Sequence, residues 1–506
     1  MELSIDQTRA RDRIWDALKA AGVDLAEGTA LPDSGPRSVL AILGKAGSGK
    51  TVLLAEVVKQ LIAAGVEPLS GDYESRKLRG GRTVAVLAPT NKAASVLRGR
   101  GVPATTIHRI LYTPLYDPEY EAIAEWLIGK AERPKPEALS EAALDRAAAF
   151  YALHPSIPGA LASAGLRGSD FIKGWKRRDE PLDIGLVDEA SMLDARQFAD
   201  LRELFSTLFI FGDPAQLAPV GGSSMVFEDL PEEDRLELHR IHRQAADSPI
   251  LDLAHALGDP DLDFAGFETL IRRAAERDGR VALAQRADSE AMARSPILVW
   301  RNATRIRLIH GFRAAHGVPE GALLPGEPLI CDGIELPLKH RRKRMDLEAR
   351  GLIKGTQAIY LGPGRRPGFS RLHLPGAEEP DLSVASIIQI EVPGQEEPVI
   401  PTAANMGVVF LHGAAATIHK SQGSQWPEVQ VFAPDLWAAA QSGRVEAGVP
   451  LWKRLAYVAI TRAEERMIWV TRYMLSRPAR PLDTTDLVRG GAELRLVAEE
   501  SASQAE

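Results

Sequence analysis

Gly44-Lys45-Ala46-Gly47-Ser48-Gly49-Lys50-Thr51 is the stretch that decides how this chain is read. It matches the pattern G-x-x-x-x-G-K-[ST], and its flanks suit the pattern. Ser38-Val39-Leu40-Ala41-Ile42-Leu43 before it is a short apolar run suited to a buried strand, and residues 52–61 after it suit a helix. A glycine-rich turn between strand and helix aims backbone N–H groups and the positive end of the helix dipole at one point. That point suits a polyphosphate. Gly47, Ser48 and Gly49 are expected to form the cradle. Lys50 is expected to reach the β- and γ-phosphates, and the Thr51 hydroxyl to ligate Mg²⁺.

The whole chain sets outer bounds. At 506 residues it exceeds one ordinary core, so about three to four domains or subdomains are expected. A composition 45% hydrophobic and 25% charged is that of a soluble globular protein. The single cysteine, Cys331, excludes an internal disulfide and a cysteine-based zinc site, which fits a reducing, cytoplasmic setting. Met1-Glu2-Leu3-Ser4-Ile5-Asp6 lacks the basic-then-apolar layout of a signal peptide, and no apolar run has the length of a membrane span. The formal net charge is -7, so any nucleic-acid surface must be a local groove rather than a property of the whole chain.

Further strands end in residues suited to phosphate chemistry. Residues 4–20 read as an amphipathic helix with Gln7 near its start, placed either to cap the helix or to bond an adenine edge. Arg82–Ala88 is a second buried strand. Thr90, Asn91 and Lys92 would stand at its carboxyl end, where ligands gather in open α/β sheets. With Thr106 and His108 they form a set of hydroxyl, amide and cationic groups suited to a single strand's phosphates and sugars. Leu182–Val187 is another strand ending in Asp188 and Glu189. One carboxylate is placed to hold Mg²⁺ and the other to orient and deprotonate an attacking water. Leu208–Gly212 is a fourth strand. Asp213-Pro214 after it is a turn signal, and Gln216 is placed near the γ-phosphate. Arg240 and Arg243 offer a cationic fork for a transferred phosphoryl group.

Residues 111–180 differ in character. Tyrosines come first, then an alanine-rich helical stretch, then Lys173-Gly174-Trp175-Lys176-Arg177-Arg178, which reads as an inserted subdomain with an aromatic among basic residues. A second α/β unit begins near residue 246, with a strand at Pro296–Trp300 and a helix opening at Arg301-Asn302. Short alternating strands at 357–361, 371–374 and 383–392, with Gly/Pro turns, predict a small β-barrel insert; Lys339–Arg344 before them is a basic run. The chain then returns to α/β character, and 497–506 reads as a polar, acidic, unstructured tail.

Taken together the ordered motifs are the phosphate loop, APTNKAA (88–94), TTIHR (105–109), VDEAS (187–191), FGDPAQLAPV (211–220), HRQ (242–244), ATIHKSQGSQ (416–425) and YVAITRA (457–463). Their order and spacing resemble superfamily 1 helicases of the 5′-to-3′ RecD/Dda-like branch, over most of residues 1–475. The resemblance implies two RecA-like motor domains with ATP and Mg²⁺ between them. It implies that Gln7 contacts the adenine, that Gln216 couples the γ-phosphate to movement, and that Arg243 and Arg462 reach the γ-phosphate from opposite sides. It places Thr90, Asn91, Thr106, His108, Asn302, Thr417 and His419 on single-stranded DNA. Gln425 stands where family members usually carry a glutamate; an amide there still accepts a hydrogen bond from a ribose.

The resulting expectation is an α/β protein. Residues 1–110 and 181–245 would form the first motor domain, and 246–335 with 404–485 the second. Residues 111–180 would take the place of a strand-separating pin, 336–403 would be an SH3-like insert, and 486–506 an acidic polar tail. The expected activity is ATP-driven translocation on single-stranded DNA with unwinding at single/double-strand junctions. A translocase that does not unwind, an RNA-directed motor and an ATP-switched clamp are the alternatives.

Overall fold

In the computed structural model, α1 (Ile5–Ala20) opens the chain with Ser4 as its cap. A two-stranded hairpin of β1 (Val23–Asp24) and β2 (Thr29–Ala30) leads to β3 (Ser38–Gly44), the strand that delivers the phosphate loop to α2 (Lys50–Ala63). The structure describes the chain apart from residues 1–2, 32–36, 70–80, 117, 136–139, 154–159, 161–171, 220–223, 240–247, 336–346, 348–351, 376, 378–379, 396, 403, 405–406, 483 and 485–506. Arg243, the basic run 339–344 and the tail 486–506 therefore lie outside the described residues.

The first sheet is wholly parallel. It contains β3, β4 (Glu67–Pro68), β5 (Thr83–Ala88), β6 (Ala104–Thr106), β9 (Leu182–Val187), β10 (Phe205–Gly212) and β11 (Arg235–Leu238). Its order is β11-β3-β10-β9-β5-β4, with β6 also beside β5. Parallel sheets are covered on both faces, and the sequence shows it. Leu40 and Ile42 of β3 face one layer with Ala10, Ile14 and Leu18 of α1 and with α2. Ala41 and Leu43 face the other, beside Phe198 and Leu201 of the helix Ala195–Leu204.

The second sheet is also parallel, in the order β12 (Val281–Ala284), β23 (Ala463–Val470), β20 (Trp426–Phe432), β13 (Ile297–Val299) and β19 (Ala415–Thr417). Met467 and Trp469 pack to one side, Ile468 and Val470 to the other. These are the two parallel sheets expected of RecA-like motor domains.

Between them the chain makes a closed five-stranded barrel of β14 (Pro328–Glu335), β15 (Gln357–Pro363), β16 (Phe369–His373), β17 (Asp381–Gln389) and β18 (Gly407–His412). The barrel is wider than the insert 336–403. Its first and last strands come from stretches assigned by sequence to the motor domain, and they pair with each other, Leu329 opposite His412. Both are apolar runs of the kind that motor strands also show, so composition does not separate them.

Residues 111–180 also hold more strand than expected. Their helices α3 (Pro118–Leu127) and α4 (Glu141–Leu153) lie between β7 (Tyr112–Tyr116) and β8 (Ile172–Arg177), which pair as an antiparallel ribbon. Pro114 and Gly174 lower the strand signal there, and the pairing spans some sixty residues.

Candidate active site at the cleft between the two sheets

The loop after β3 adopts a cradle. Gly47 and Gly49 sit at φ 83° and 80°, a left-handed backbone that glycine adopts without steric cost. Lys50 starts α2, and its ammonium donates to the carbonyls of Gly44 and, at 3.2 Å, Lys45. The Ser48 hydroxyl is buried and has no hydrogen-bond partner among the described residues. Gln7 is buried against the same loop. It forms a reciprocal cap with Ser4, and its amide donates to the carbonyls of Ser48 and Gly49 at 3.4 and 3.3 Å. Of the two roles weighed for Gln7, the geometry displays the cap, and it adds a tie between α1 and the phosphate loop.

Asp188 and Glu189 follow β9, beside the loop, because β9 lies one strand from β3 across β10. Burial pushes the Asp188 carboxyl up to about 7, and the neighbouring Glu189 charge adds to this. Glu189 has φ 54° and ψ 40°, a left-handed conformation unusual for a residue with a side chain. Its carboxylate accepts from the Gln216 side-chain amide at 3.0 Å, and Ser191 Oγ donates to Gln216 Oε1 at 3.2 Å. Asp188, Glu189 and Gln216 therefore form one group.

The second sheet closes on this group through α5 (Leu451–Ile460) and the residues after it. Arg462 is buried. Its guanidinium donates to the carbonyls of Val458 and Ser424 at 3.0 and 3.2 Å and to Thr461 Oγ1 at 3.1 Å. Burial lowers its pKa, while the charge of Glu189 across the cleft acts in the opposite direction. Two α5 side chains that sequence reasoning did not single out make the direct crossings. The Tyr457 hydroxyl accepts from the Ala46 N–H and donates to Asp213, both at 2.7 Å. Arg454 donates to the carbonyls of Pro214 and Gln216. Ala46, Ala215 and Leu217 of the first unit pack in the core of the second. The available signal was a tyrosine and an arginine within an apolar helix, since such groups are buried only with partners. Asp213, read as a turn residue, is buried and also bonds the Ala215 N–H.

The expected strand-gripping residues sit at the other edge of each sheet. Thr90 follows β5 and caps the helix Asn91–Gly99, and Thr106 ends β6. Lys92 is half-buried, and this desolvation lowers its pKa. His108 is exposed beside the Tyr112 ring, with centroids 5.0 Å apart. In the second unit Asn302 opens a helix after β13 and accepts from Arg305 at 2.8 Å. Thr417 ends β19 and caps the turn that carries the half-buried His419. The two sets converge: a Cβ on Gly423 would lie 3.1 Å from Thr90 Oγ1, and one on Gly355 of the barrel 3.7 Å from Lys92 Cβ. Gln425 is exposed just beyond.

The site residues fit a magnesium nucleotide. A buried hydroxyl without a partner among the described residues lies in the glycine cradle, and a buried carboxyl held against ionisation is matched by a divalent cation. Among the described residues no group of three or more His, Cys, Asp or Glu could hold a metal alone. Mg²⁺ is commonly bound by one or two carboxylates together with substrate phosphates, so a small protein ligand set suffices.

Two family models match the chain. Residues 33–283 match the model of an AAA domain family, and residues 412–470 match the UvrD-like helicase C-terminal domain, together well over half of the chain. No curated protein matches. Among solved structures, the chain is similar to Pif1 helicase from Candida albicans, at 14% identity and a TM-score of 0.45, covering 98% of this chain and 100% of that one. It is similar to Bacteroides Pif1 bound to ssDNA, at 14% identity and a TM-score of 0.46, covering 94% and 95%.

Proposed function

We propose that the chain, which matches an AAA domain family and the UvrD-like helicase C-terminal domain, is a superfamily 1 DNA helicase of the RecD-like branch that uses ATP hydrolysis to move 5′ to 3′ along single-stranded DNA and to separate strands at a single/double-strand junction. The observation that carries the proposal is the two-sided site. The phosphate loop, Asp188, Glu189 and Gln216 lie on one sheet, and Tyr457, Arg454 and Arg462 approach from the other.

In this reading Gly47, Ser48, Gly49, Lys50 and Thr51 hold the phosphates, and Thr51 and Asp188 hold Mg²⁺. The cation supplies charge neutralisation on the phosphate oxygens. Glu189, held by Gln216, orients the attacking water and takes its proton. Gln216 also reports the state of that site to the Asp213–Gln216 loop. Arg462 and Arg243 bring positive charge, Arg462 from the second sheet. Gln7 ties the loop to α1 beside the base, and Gln425 stands toward the ribose. Thr90, Asn91, Lys92, Thr106, His108, Asn302, Thr417 and His419 grip the DNA from two sheets. Relative movement of the sheets then becomes movement along one strand. The domain limits given above, with the barrel extended to 328–412, and a cytoplasmic setting belong to the same proposal. No helix among the described residues is long and apolar enough to cross a membrane.

The test uses fluorescent duplexes with a 5′ or a 3′ single-stranded tail, with ATP and Mg²⁺. Strand release from the 5′-tailed duplex alone is expected. Release from the 3′-tailed duplex alone refutes the polarity. ATP turnover without strand release from either refutes unwinding.

A further inference from the structure

All ten residues of α5 are buried. Two of them, Arg454 and Tyr457, are three apart and so share a helix face. A buried guanidinium and a buried phenol need partners, so their bonds fix where α5 rests. Both side chains find partners on the first sheet.

Tyr457 holds Asp213, and Arg454 holds the carbonyls of Pro214 and Gln216, so α5 grips the loop along its length. The Gln216 side chain in turn holds Glu189 at 3.0 Å. The other end of Arg454 bonds the carbonyls of Glu446 and Ala447, in the turn between β21 (Val445–Glu446) and β22 (Val449–Pro450). A continuous chain of contacts therefore runs from that turn through Arg454 and the Gln216 backbone to the Gln216 amide and Glu189. Tyr457 adds a second attachment, because its oxygen also accepts from Ala46 in the phosphate loop. One face of one helix thus touches both the phosphate cradle and the support of the water-orienting carboxylate.

Resting on the helicase reading above, we propose that Tyr457 and Arg454 are positioning residues for hydrolysis. Their bonds set the second sheet in register on the Asp213–Gln216 loop, and this register places Glu189. Glu189 is productive only when α5 is seated, so turnover depends on how the two sheets stand. Neither side chain touches the reacting atoms.

The test is Tyr457→Phe, which keeps the ring in its packing and removes only the hydroxyl. Steady-state ATP turnover is measured with saturating oligo-dT, with KM for ATP and the thermal midpoint in parallel. A fall in kcat of about 10- to 100-fold is expected, the scale of a small misplacement of catalytic groups, with KM changed by less than about threefold and the midpoint little moved. Arg454→Lys keeps a charge able to reach one carbonyl, so it is expected to retain more kcat than Arg454→Ala. A wild-type kcat in Tyr457→Phe, or a lowered midpoint without loss of kcat, overturns the inference and leaves Tyr457 as a packed core residue. Wild-type protein with DNA-stimulated turnover, and Lys50→Ala without it, serve as controls. Failure of the controls counts against the helicase reading, whereas failure of Tyr457→Phe alone counts against the positioning role.

Discussion

Replacing Glu189 by glutamine isolates the charge that the mechanism assigns to the attacking water. The substitution keeps side-chain length and leaves the backbone choice untouched. That matters because Glu189 sits at φ 54°, a conformation that costs an L-residue about 1–2 kcal/mol and is held by its surroundings. The hydrogen bond from Gln216 can be replaced by an amide–amide bond of similar geometry. Only the base is lost. General-base catalysis contributes about 10²–10⁴-fold, which corresponds to about 2.7–5.4 kcal/mol of barrier. The fold is not expected to weaken. The Glu189 charge is the second cause, after burial, that disfavours an ionised Asp188, so its removal relieves repulsion at the cation-holding carboxylate. Three measurements are needed: phosphate release with oligo-dT, equilibrium binding of a fluorescent ATP analogue, and thermal unfolding. The expected result for Glu189→Gln is kcat lowered at least about 100-fold, nucleotide Kd no weaker than wild type, and an unchanged or higher unfolding midpoint. A kcat within about tenfold of wild type removes Glu189 from the role of base. Loss of kcat together with loss of nucleotide binding assigns it a structural role instead.

Two further predictions concern the cradle and the barrel junction. Lys50→Ala is expected to abolish turnover with the fold intact, since among the described residues its ammonium bonds only two loop carbonyls; chelating Mg²⁺ from the wild type should do the same, and persistent turnover in either case contradicts the cradle assignment. At the junction, buried Glu327 accepts from Arg313 and from His412, both near 3 Å, and His412 Nδ1 accepts from the Ala414 N–H at 3.2 Å, so His412 is neutral. Burial holds its pKa below 6.5. The unfolded chain then takes up the proton first, and stability that is full above pH 6.5 falls as the pH drops through the folded value. Burial alone would raise Glu327, but the His412 hydrogen bond and nearby positive charge leave its pKa below 4.5, so its contribution is also lost on the acid side. The thermal midpoint should fall between pH 7 and pH 5, less steeply in His412→Asn. A midpoint that is flat or rises over that range rejects the neutral-histidine reading.

The parts of the fold that sequence made visible are those settled within a few residues. An eight-residue glycine-rich turn between an apolar run and a helix is a local signal, and so is a carboxylate pair at a strand end. The Ser4–Gln7 cap is equally local, a hydroxyl three residues before an amide. What stayed hidden depends on partners far along the chain. β14 and β18 close the barrel by pairing Leu329 with His412, and nothing in either strand distinguishes a barrel edge from a motor strand. The β7–β8 ribbon pairs Thr113 with Lys176 around two helices. Asp213 reads as a turn former because glycine and proline flank it, yet its carboxylate has a buried partner on α5 of the second unit. Tyr457 lies inside the same motif as Arg462 with no local mark of its role, since the choice of a hydroxyl's partner is a tertiary event.

The same long-range contacts bear on how the cleft could work as a two-state element. Opening it breaks the two bonds of the Tyr457 hydroxyl and the two from Arg454 to the Asp213–Gln216 loop. At a net of about 0.5–1.5 kcal/mol each, four such bonds come to roughly 2–6 kcal/mol. Moving a two-state equilibrium from 1:99 to 99:1 takes about 5.5 kcal/mol of differential binding. The polar contacts across the cleft are therefore of the size that a nucleotide can make or break by binding one arrangement better. A much stronger set would hold the sheets together whatever was bound, and a much weaker one would not fix where Glu189 stands. The few apolar contacts of Ala46, Ala215 and Leu217 add to closure without the directionality that register requires. Register thus falls to the hydrogen bonds, which is why removing a single hydroxyl from α5 is a sharper probe of coupling than removing a methyl group from the same interface.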